Sequence, residues 1–180
     1  NRWSYATSKA IDEFLGLAHN KEGKAPVLIV RFFNTVGPRQ VGEYGMVLPR
    51  FVDAAMKNLP IYIHGDGLQS RCFCDVRDVV PAIMSLLQNP RHYGKVFNIG
   101  SDQPITITEL AQLVQKRLKS SSTFEYVPYA EVYGGGMDDL KVRIPNLSRI
   151  REAIGFTPKT SLGQTIDDLA AERECREVKL

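Results

Sequence analysis

Apolar positions along this chain recur in two periods, and their alternation divides it into helices and short strands. Residues 3–20 carry Ala6, Ala10, Phe14 and Leu17 at helical spacing, with Ile11 and Leu15 widening the stripe, which predicts an amphipathic helix. Pro26 then introduces the run Val27 to Phe33, β-branched and aromatic with no polar residue until Arg31. Such a run predicts a strand buried on both faces. The segment Asn34-Thr35-Val36-Gly37-Pro38 breaks it.

Further on, residues 47–58 have a helical pattern, and Pro60 to His64 form a short strand closed by the turn Gly65-Asp66-Gly67. Ser70 to Asp75 is extended. Val76 to Gln88 is helical, with Pro81 tolerable near its first turn. Val96 to Ile99 is another short apolar strand, ended by Gly100. The next helix has an explicit start, because Thr106 and Glu109 stand at capping-box spacing ahead of the stripe Ile107, Leu110, Leu113, Val114 and Leu118. Residues 124–127 read as extended and 128–142 as a loop holding Gly134-Gly135-Gly136. Asn146 is placed to cap a helix ended by Gly155, and a last helix follows Thr160. Helices alternating with short buried strands specify an α/β fold with a mainly parallel sheet.

Composition narrows the function classes. The 180 residues are 43% hydrophobic and 24% charged, an ordinary globular balance that excludes a disordered or fibrous chain. Lysine plus arginine is 23 against 20 acidic residues, a net charge of +3. That excess is too small for a nucleic-acid footprint, and Lys116-Arg117 is a solvated pair rather than a patch. The stretch Val27 to Val30 is far too short to span a bilayer. Cys72, Cys74 and Cys175 form no disulfide framework, which points to reduced thiols and a cytoplasmic location. Cys72 and Cys74 would share one face of a strand, in packing rather than as metal ligands. His19 and His92 read as surface residues.

Chemistry enters with Tyr5 and Lys9, four apart on one face of the first helix. A lysine ammonium beside a phenol favours the phenolate, and such a pair can take a proton from a substrate hydroxyl and return it. The spacing alone is weak, but its context is specific. Ser4-Tyr5-Ala6-Thr7-Ser8-Lys9 is followed by Arg31-Phe32-Phe33-Asn34-Thr35-Val36-Gly37-Pro38-Arg39, by Gly65-Asp66-Gly67-Leu68-Gln69-Ser70-Arg71 and by Asp75-Val76-Arg77-Asp78. Val96-Phe97-Asn98-Ile99-Gly100, Arg143-Ile144-Pro145-Asn146 and Ile154-Gly155-Phe156-Thr157-Pro158 complete the series. In this order the chain resembles the C-terminal half of extended short-chain dehydrogenase/reductases, the NAD-dependent nucleotide-sugar epimerase/dehydratase family.

The resemblance implies the C-terminal part of a Rossmann-type doubly wound parallel sheet, residues 1–37 and 75–100, interleaved with a smaller α/β substrate-binding domain, residues 38–74 and 101–180. It implies Tyr5 as catalytic base and acid, and Lys9 as its partner and as a ligand of the nicotinamide ribose. Phe32 would contact the nicotinamide side of NAD. On the substrate side it implies Asn34 near the phosphates and sugar, Val47 approaching the nucleotide through its backbone, and Tyr62 and His64 flanking the strand that holds the base. The family usually has Tyr or Phe where His64 stands, and many members have Asp at Asn146. Arg71 and Arg143 would grip the diphosphate and ribose, a task suited to the planar guanidinium fork. The expected partner is a nucleotide-diphosphate sugar, UDP-sugars foremost, and a homodimer contact through the 3–20 helix is expected as well.

The resemblance therefore implies chemistry through a 4-keto sugar, with UDP-glucose/UDP-galactose 4-epimerisation foremost. UDP-glucuronate decarboxylation and dTDP-glucose 4,6-dehydration are its alternatives within the family, and a non-catalytic nucleotide-binding relative is the alternative outside it. The triple glycine opens no helix, and no Gly-x-x-Gly-x-x-Gly or Gly-x-Gly-x-x-Gly turn for the NAD pyrophosphate occurs in the sequence. With no initial Met, the chain reads as a piece of a longer enzyme. The isolated chain is expected neither to turn over nor to bind NAD tightly. Calorimetric titration should show no micromolar NAD binding by this chain alone.

Overall fold

The computed structural model describes residues 2–42, 46–133 and 140–177. Helix α1 (Arg2–Lys21) is followed by strands β1 (Ile29–Phe32) and β2 (Thr35–Val36), helix α2 (Val47–Met56), and strands β3 (Ile61–His64), β4 (Ser70–Cys72) and β5 (Cys74–Asp75). Next come α3 (Val76–Leu87), a 3-10 turn at Pro90–His92, β6 (Val96–Ile99), β7 (Pro104–Thr106) and α4 (Ile107–Arg117). The order closes with β8 (Phe124–Val127), α5 (Tyr129–Tyr133), β9 (Val142–Arg143), α6 (Ser148–Ile154) and α7 (Leu162–Glu177). The class is α/β as expected: β1 pairs with β6, β2 with β5, β3 with β8 and β4 with β9, all parallel, while β4 and β7 are antiparallel.

Two apolar clusters hold these elements. One gathers Leu48, Phe51 and Val52 of α2, Ile61 and Ile63 of β3, Leu110 and Val114 of α4, and Ile166 and Leu169 of α7. The other joins Val79, Ala82 and Leu86 of α3 to Phe97 and Ile99 of β6 and to Leu147, Ile150 and Phe156 around α6. The capping box forms as read: Thr106 Oγ1 accepts from the Glu109 amide, and the Glu109 carboxylate accepts from the Thr106 amide. A cap of this kind stabilises by about 1 kcal/mol. Asn146 Oδ1 accepts from the Ser148 amide at 2.9 Å, and Gly155 ends α6.

Several expectations are corrected. β1 is not buried on both faces: Arg31 and Phe32 are exposed, because no element among the described residues covers their side chains fully. Thr35–Val36, read as a break, is a short strand because it pairs with Cys74–Asp75. Within 128–142, Tyr129–Tyr133 is helical and Val142–Arg143 is a strand recruited by β4. The triple glycine lies outside the described residues. Pro81 sits in the second turn of α3 rather than the first, where it forfeits a backbone bond without ending the helix. His92 is buried, with Nδ1 3.0 Å from the Leu86 carbonyl and its ring edge-on to Phe97. Cys72 and Cys74 are both buried, and Cys74 packs in the second cluster. Burial, with Asp78 and Asp75 nearby, pushes the Cys74 thiol up to about 12.

At the start of α3, Asp75 is buried, and its carboxylate accepts from the Arg77 amide and guanidinium and from Thr165 Oγ1 of α7 at 2.7–2.8 Å. Burial pushes this carboxyl up, but the hydrogen bonds from Arg77 and Thr165 outweigh it and leave it below its ordinary range. A carboxylate so held stabilises the fold above its unfolded pKa, and that contribution is lost as pH falls through the lowered folded value. Asp75→Ala should destabilise the full-length protein by about 3 kcal/mol, read as a lower urea midpoint at pH 7.

Candidate functional site

A cleft of about 340 Å³ opens between α2, β3, β4 and the segment after β1. Asn34, Val47, Tyr62, His64 and Arg71, all expected to contact substrate, line it. β3 makes one wall through simple alternation: Ile61 and Ile63 are fully buried, while Tyr62 and His64 face the other side. Gly65 and Gly67 then turn the chain with φ of 75° and 72°. A Cβ at Gly65 would collide with the Tyr129 ring, so glycine is what lets α5 close on this wall.

Asn34 holds the opposite side with φ 36°, a left-handed conformation that Asn tolerates. Its Nδ2 donates to the Cys72 carbonyl at 2.7 Å and its carbonyl accepts from the Cys74 amide. The bond to Cys72 directs the amide nitrogen into the β4 backbone and leaves the acceptor oxygen of the side chain for a ligand.

Arg71 and Arg143 are register partners on β4 and β9, so their side chains rise from adjacent strands. Arg71 is 9% exposed and anchored through Nη1 to the carbonyls of Ser70 and Leu140. Arg143 is not part of the cleft lining, but its Nε is buried without a hydrogen-bond partner among the described residues. Arginines raised from adjacent strands in register are suited to share one anion, which the planar guanidinium fork can bind through two N–H groups at once.

Tyr5, Lys9 and Phe32 do not line the cleft. Tyr5 and Lys9 do come together, with Nζ 5.9 Å from the Tyr5 ring centre, and Tyr5 is 68% exposed. Lys9 donates to Asp12 at 2.8 Å, and that hydrogen bond holds its ammonium above the ordinary lysine value. Their helix is tied to β1 by a two-pronged ion pair between Glu13 and Arg31, at 2.6 and 2.7 Å. Phe32 ends β1 with an exposed ring.

Sequence reasoning missed Arg50, Gln69 and Tyr129, which also line the cleft. Arg50 follows Val47 by three on α2 and Gln69 precedes Arg71 by two, so the periodicity that placed their neighbours could have found both. Gln69 Nε2 donates to the His64 carbonyl, leaving Oε1 buried and unpartnered among the described residues. Among those residues, no group of His, Cys, Asp or Glu gathers to hold a metal, and no helix is long and apolar enough to cross a membrane.

Arg50 Nη2 lies 3.1 Å from His64 Nε2. Burial, reinforced by the Arg50 charge, pushes the His64 imidazole below its ordinary value, so the ring is neutral at pH 7. The unfolded chain binds that proton more readily, so this group's contribution to stability falls as pH drops below about 6.5. NMR titration of the full-length protein should find His64 titrating below the ordinary histidine value, with Arg50→Met moving it upward.

The model of the NAD dependent epimerase/dehydratase family matches residues 1–100. The chain is 38% identical over 168 residues to a UDP-N-acetyl-alpha-D-glucosaminuronate decarboxylase of Bacillus cytotoxicus, covering 93% of the chain and 52% of that protein. It is 34% identical to UDP-glucuronic acid decarboxylase 2 of Arabidopsis thaliana, covering 91% of the chain and 35% of that protein. Among solved structures, a dTDP-glucose 4,6-dehydratase of Bacillus anthracis in complex with NAD superposes with a TM-score of 0.82 at 27% identity, covering 97% of the chain and 53% of that structure. The chain thus spans about half the length, or less, of the relatives it matches. With the model matching more than half of its length, the chain belongs to the NAD-dependent epimerase/dehydratase family.

Proposed function

We propose that the full-length protein oxidises a UDP-sugar at C4 with bound NAD, and that a UDP-uronate, decarboxylated through the 4-keto sugar, is its substrate. The observation that carries the diphosphate part is the Arg71–Arg143 pair, in register on β4 and β9, with Arg143 Nε buried and unpartnered among the described residues. Asn34, Val47, Tyr62 and His64 supply the walls for the rest of the nucleotide. The choice of a uronate rests on the relatives at 38% and 34% identity, both named as decarboxylases of UDP-uronates. It departs from the 4-epimerisation expected from the sequence.

Toward NAD this chain offers the nicotinamide end: Tyr5 and Lys9 together on α1 and the exposed ring of Phe32 at the end of β1. That set fits a flat ring and its ribose. Bound NAD supplies the acceptor for the C4 hydride and later returns it. Tyr5, as phenolate, takes the C4 hydroxyl proton, and the charged Lys9 favours that phenolate and holds a ribose hydroxyl. Arg71 and Arg143 keep the diphosphate fixed meanwhile. In the 4-keto sugar the carboxylate stands β to the ketone, so the C5–C6 bonding pair can pass into the carbonyl as carbon dioxide leaves. A proton drawn from solvent then takes the place of the lost carboxylate at C5, and Tyr5 gives its proton to the C4 oxygen as the ketone is reduced.

The apolar stripe Ile11, Phe14 and Leu15 is exposed on α1 and supports a homodimer contact there. The three free cysteines suit a reducing, cytoplasmic location.

The test is product analysis of the full-length protein with UDP-glucuronate, UDP-N-acetylglucosaminuronate, UDP-glucose and UDP-galactose. A decarboxylated UDP-sugar is expected. A C4 epimer as sole product would overturn the uronate assignment, and nucleotide binding without turnover would favour a non-catalytic protein. Tyr5→Phe should lower kcat by roughly 10²–10⁴ while leaving UDP affinity within about twofold.

A further inference from the structure

Arg50 and His64 hold a feature that the diphosphate grip does not explain. Arg50 stands one turn after Val47 on α2, half-buried in the cleft wall, with Nη2 3.1 Å from His64 Nε2. An imidazole nitrogen accepts only through its lone pair, so the ring is neutral with its proton on Nδ1. A neutral acceptor orients the guanidinium without cancelling its charge. No carboxylate pairs with Arg50 among the described residues, and Asp53, on the same helix, is engaged by Arg173 of α7. The arginine is thus held in place and still short of an acceptor for most of its five N–H donors.

Its surroundings identify the kind of acceptor. Tyr62 and His64 project from the same face of β3, and Tyr129 closes over Gly65 beside them. Three flat rings and one guanidinium suit a planar heterocycle carrying a carbonyl oxygen at its edge. A phosphate would gain nothing from the rings, and Arg71 and Arg143 already stand together on β4 and β9.

We infer that Arg50, positioned by His64, reads the nucleobase of the substrate by donating to a ring carbonyl such as O4 of uracil, and so discriminates against bases carrying an amino group there. The inference rests on the nucleotide-sugar reading of this cleft and adds the residue that selects the base. Arg50 would contact the ligand, whereas His64 acts through Arg50 as a positioning residue.

The experiment is calorimetric binding of UDP, CDP and inorganic pyrophosphate to the full-length protein and its variants, with circular dichroism confirming that each variant is folded. The unmodified protein should prefer UDP to CDP by about tenfold or more, the scale of one hydrogen bond from a charged donor. Arg50→Met should erase that preference by weakening UDP alone, leaving CDP and pyrophosphate unchanged. His64→Leu should reduce the preference, and His64→Gln, whose amide oxygen still accepts from Arg50, should restore it. Equal weakening of all three ligands in Arg50→Met would make Arg50 a phosphate ligand and overturn the inference. An unchanged UDP preference would do the same. If the unmodified protein binds none of the ligands, the nucleotide-sugar reading itself fails, which is a distinguishable result.

Discussion

The buried carboxylate of Asp75 fixes the relation between the strands that carry the cleft and the helices behind them. Its side chain is fully inaccessible, yet it accepts from the backbone and guanidinium of Arg77 and from the Thr165 hydroxyl. Arg77 reaches on to Asp168 of α7 at 2.6 Å. An isolated carboxylate at that depth would cost several kcal/mol, so each donor is needed for the charge to be tolerated at all. Asp75 is also the register partner of Val36. Asn34 lies two residues before Val36 and Arg71 four before Asp75, so two walls of the cleft are set by the same constraint that starts α3 and docks α7.

From that frame the cleft follows by short-range rules. The two-residue period of β3 sends Ile61 and Ile63 into the core, which obliges Tyr62 and His64 to face the cleft. The glycine turn after β3 returns the chain so that β4 carries Arg71 back along the site. β9, arriving from far along the sequence, adds Arg143 beside it in parallel register. The juxtaposition of Arg71 and Arg143 is therefore a product of strand pairing: neither arginine is placed beside the other until the two strands meet.

What was legible in the sequence divides along the same line. The capping box at Thr106, the alternation of β3, the strand Val96–Ile99 and the cap by Asn146 depend on neighbours a few residues away, and each is found where the pattern puts it. The pairings of β2 with β5 and of β9 with β4 join distant segments too short to show a period, and the pattern reads them as loop. His92 was misread for a related reason: its burial comes from the Leu86 carbonyl and the Phe97 ring, neither of which is marked in the local sequence. Asn34, Val47, Tyr62, His64 and Arg71 were singled out through the family resemblance, and all five line one cleft. Arg50 escaped because no motif contains it, although it shares a helix face with Val47.

The cleft and the Tyr5–Lys9 pair are held with different strength. Asn34 and Arg71 are bonded into strands backed by a buried charge network. Tyr5 and Lys9 sit on an exposed helix whose links to the body among the described residues include the Glu13–Arg31 ion pair, the Asn20 side chain on the Val27 amide and the packing of Gly16 against Val27 and Ile29. Arg31 is 53% exposed in that ion pair, so solvent and salt screen it to about 1 kcal/mol or less. Ile11, Phe14 and Leu15 add little within this chain because they remain uncovered. The placement of Tyr5 and Lys9 relative to the cleft therefore rests chiefly on the contacts of α1 with β1 and the segment before it. The cleft wall is set by the packed body, whereas the placement of the Tyr5–Lys9 pair responds to anything that shifts α1.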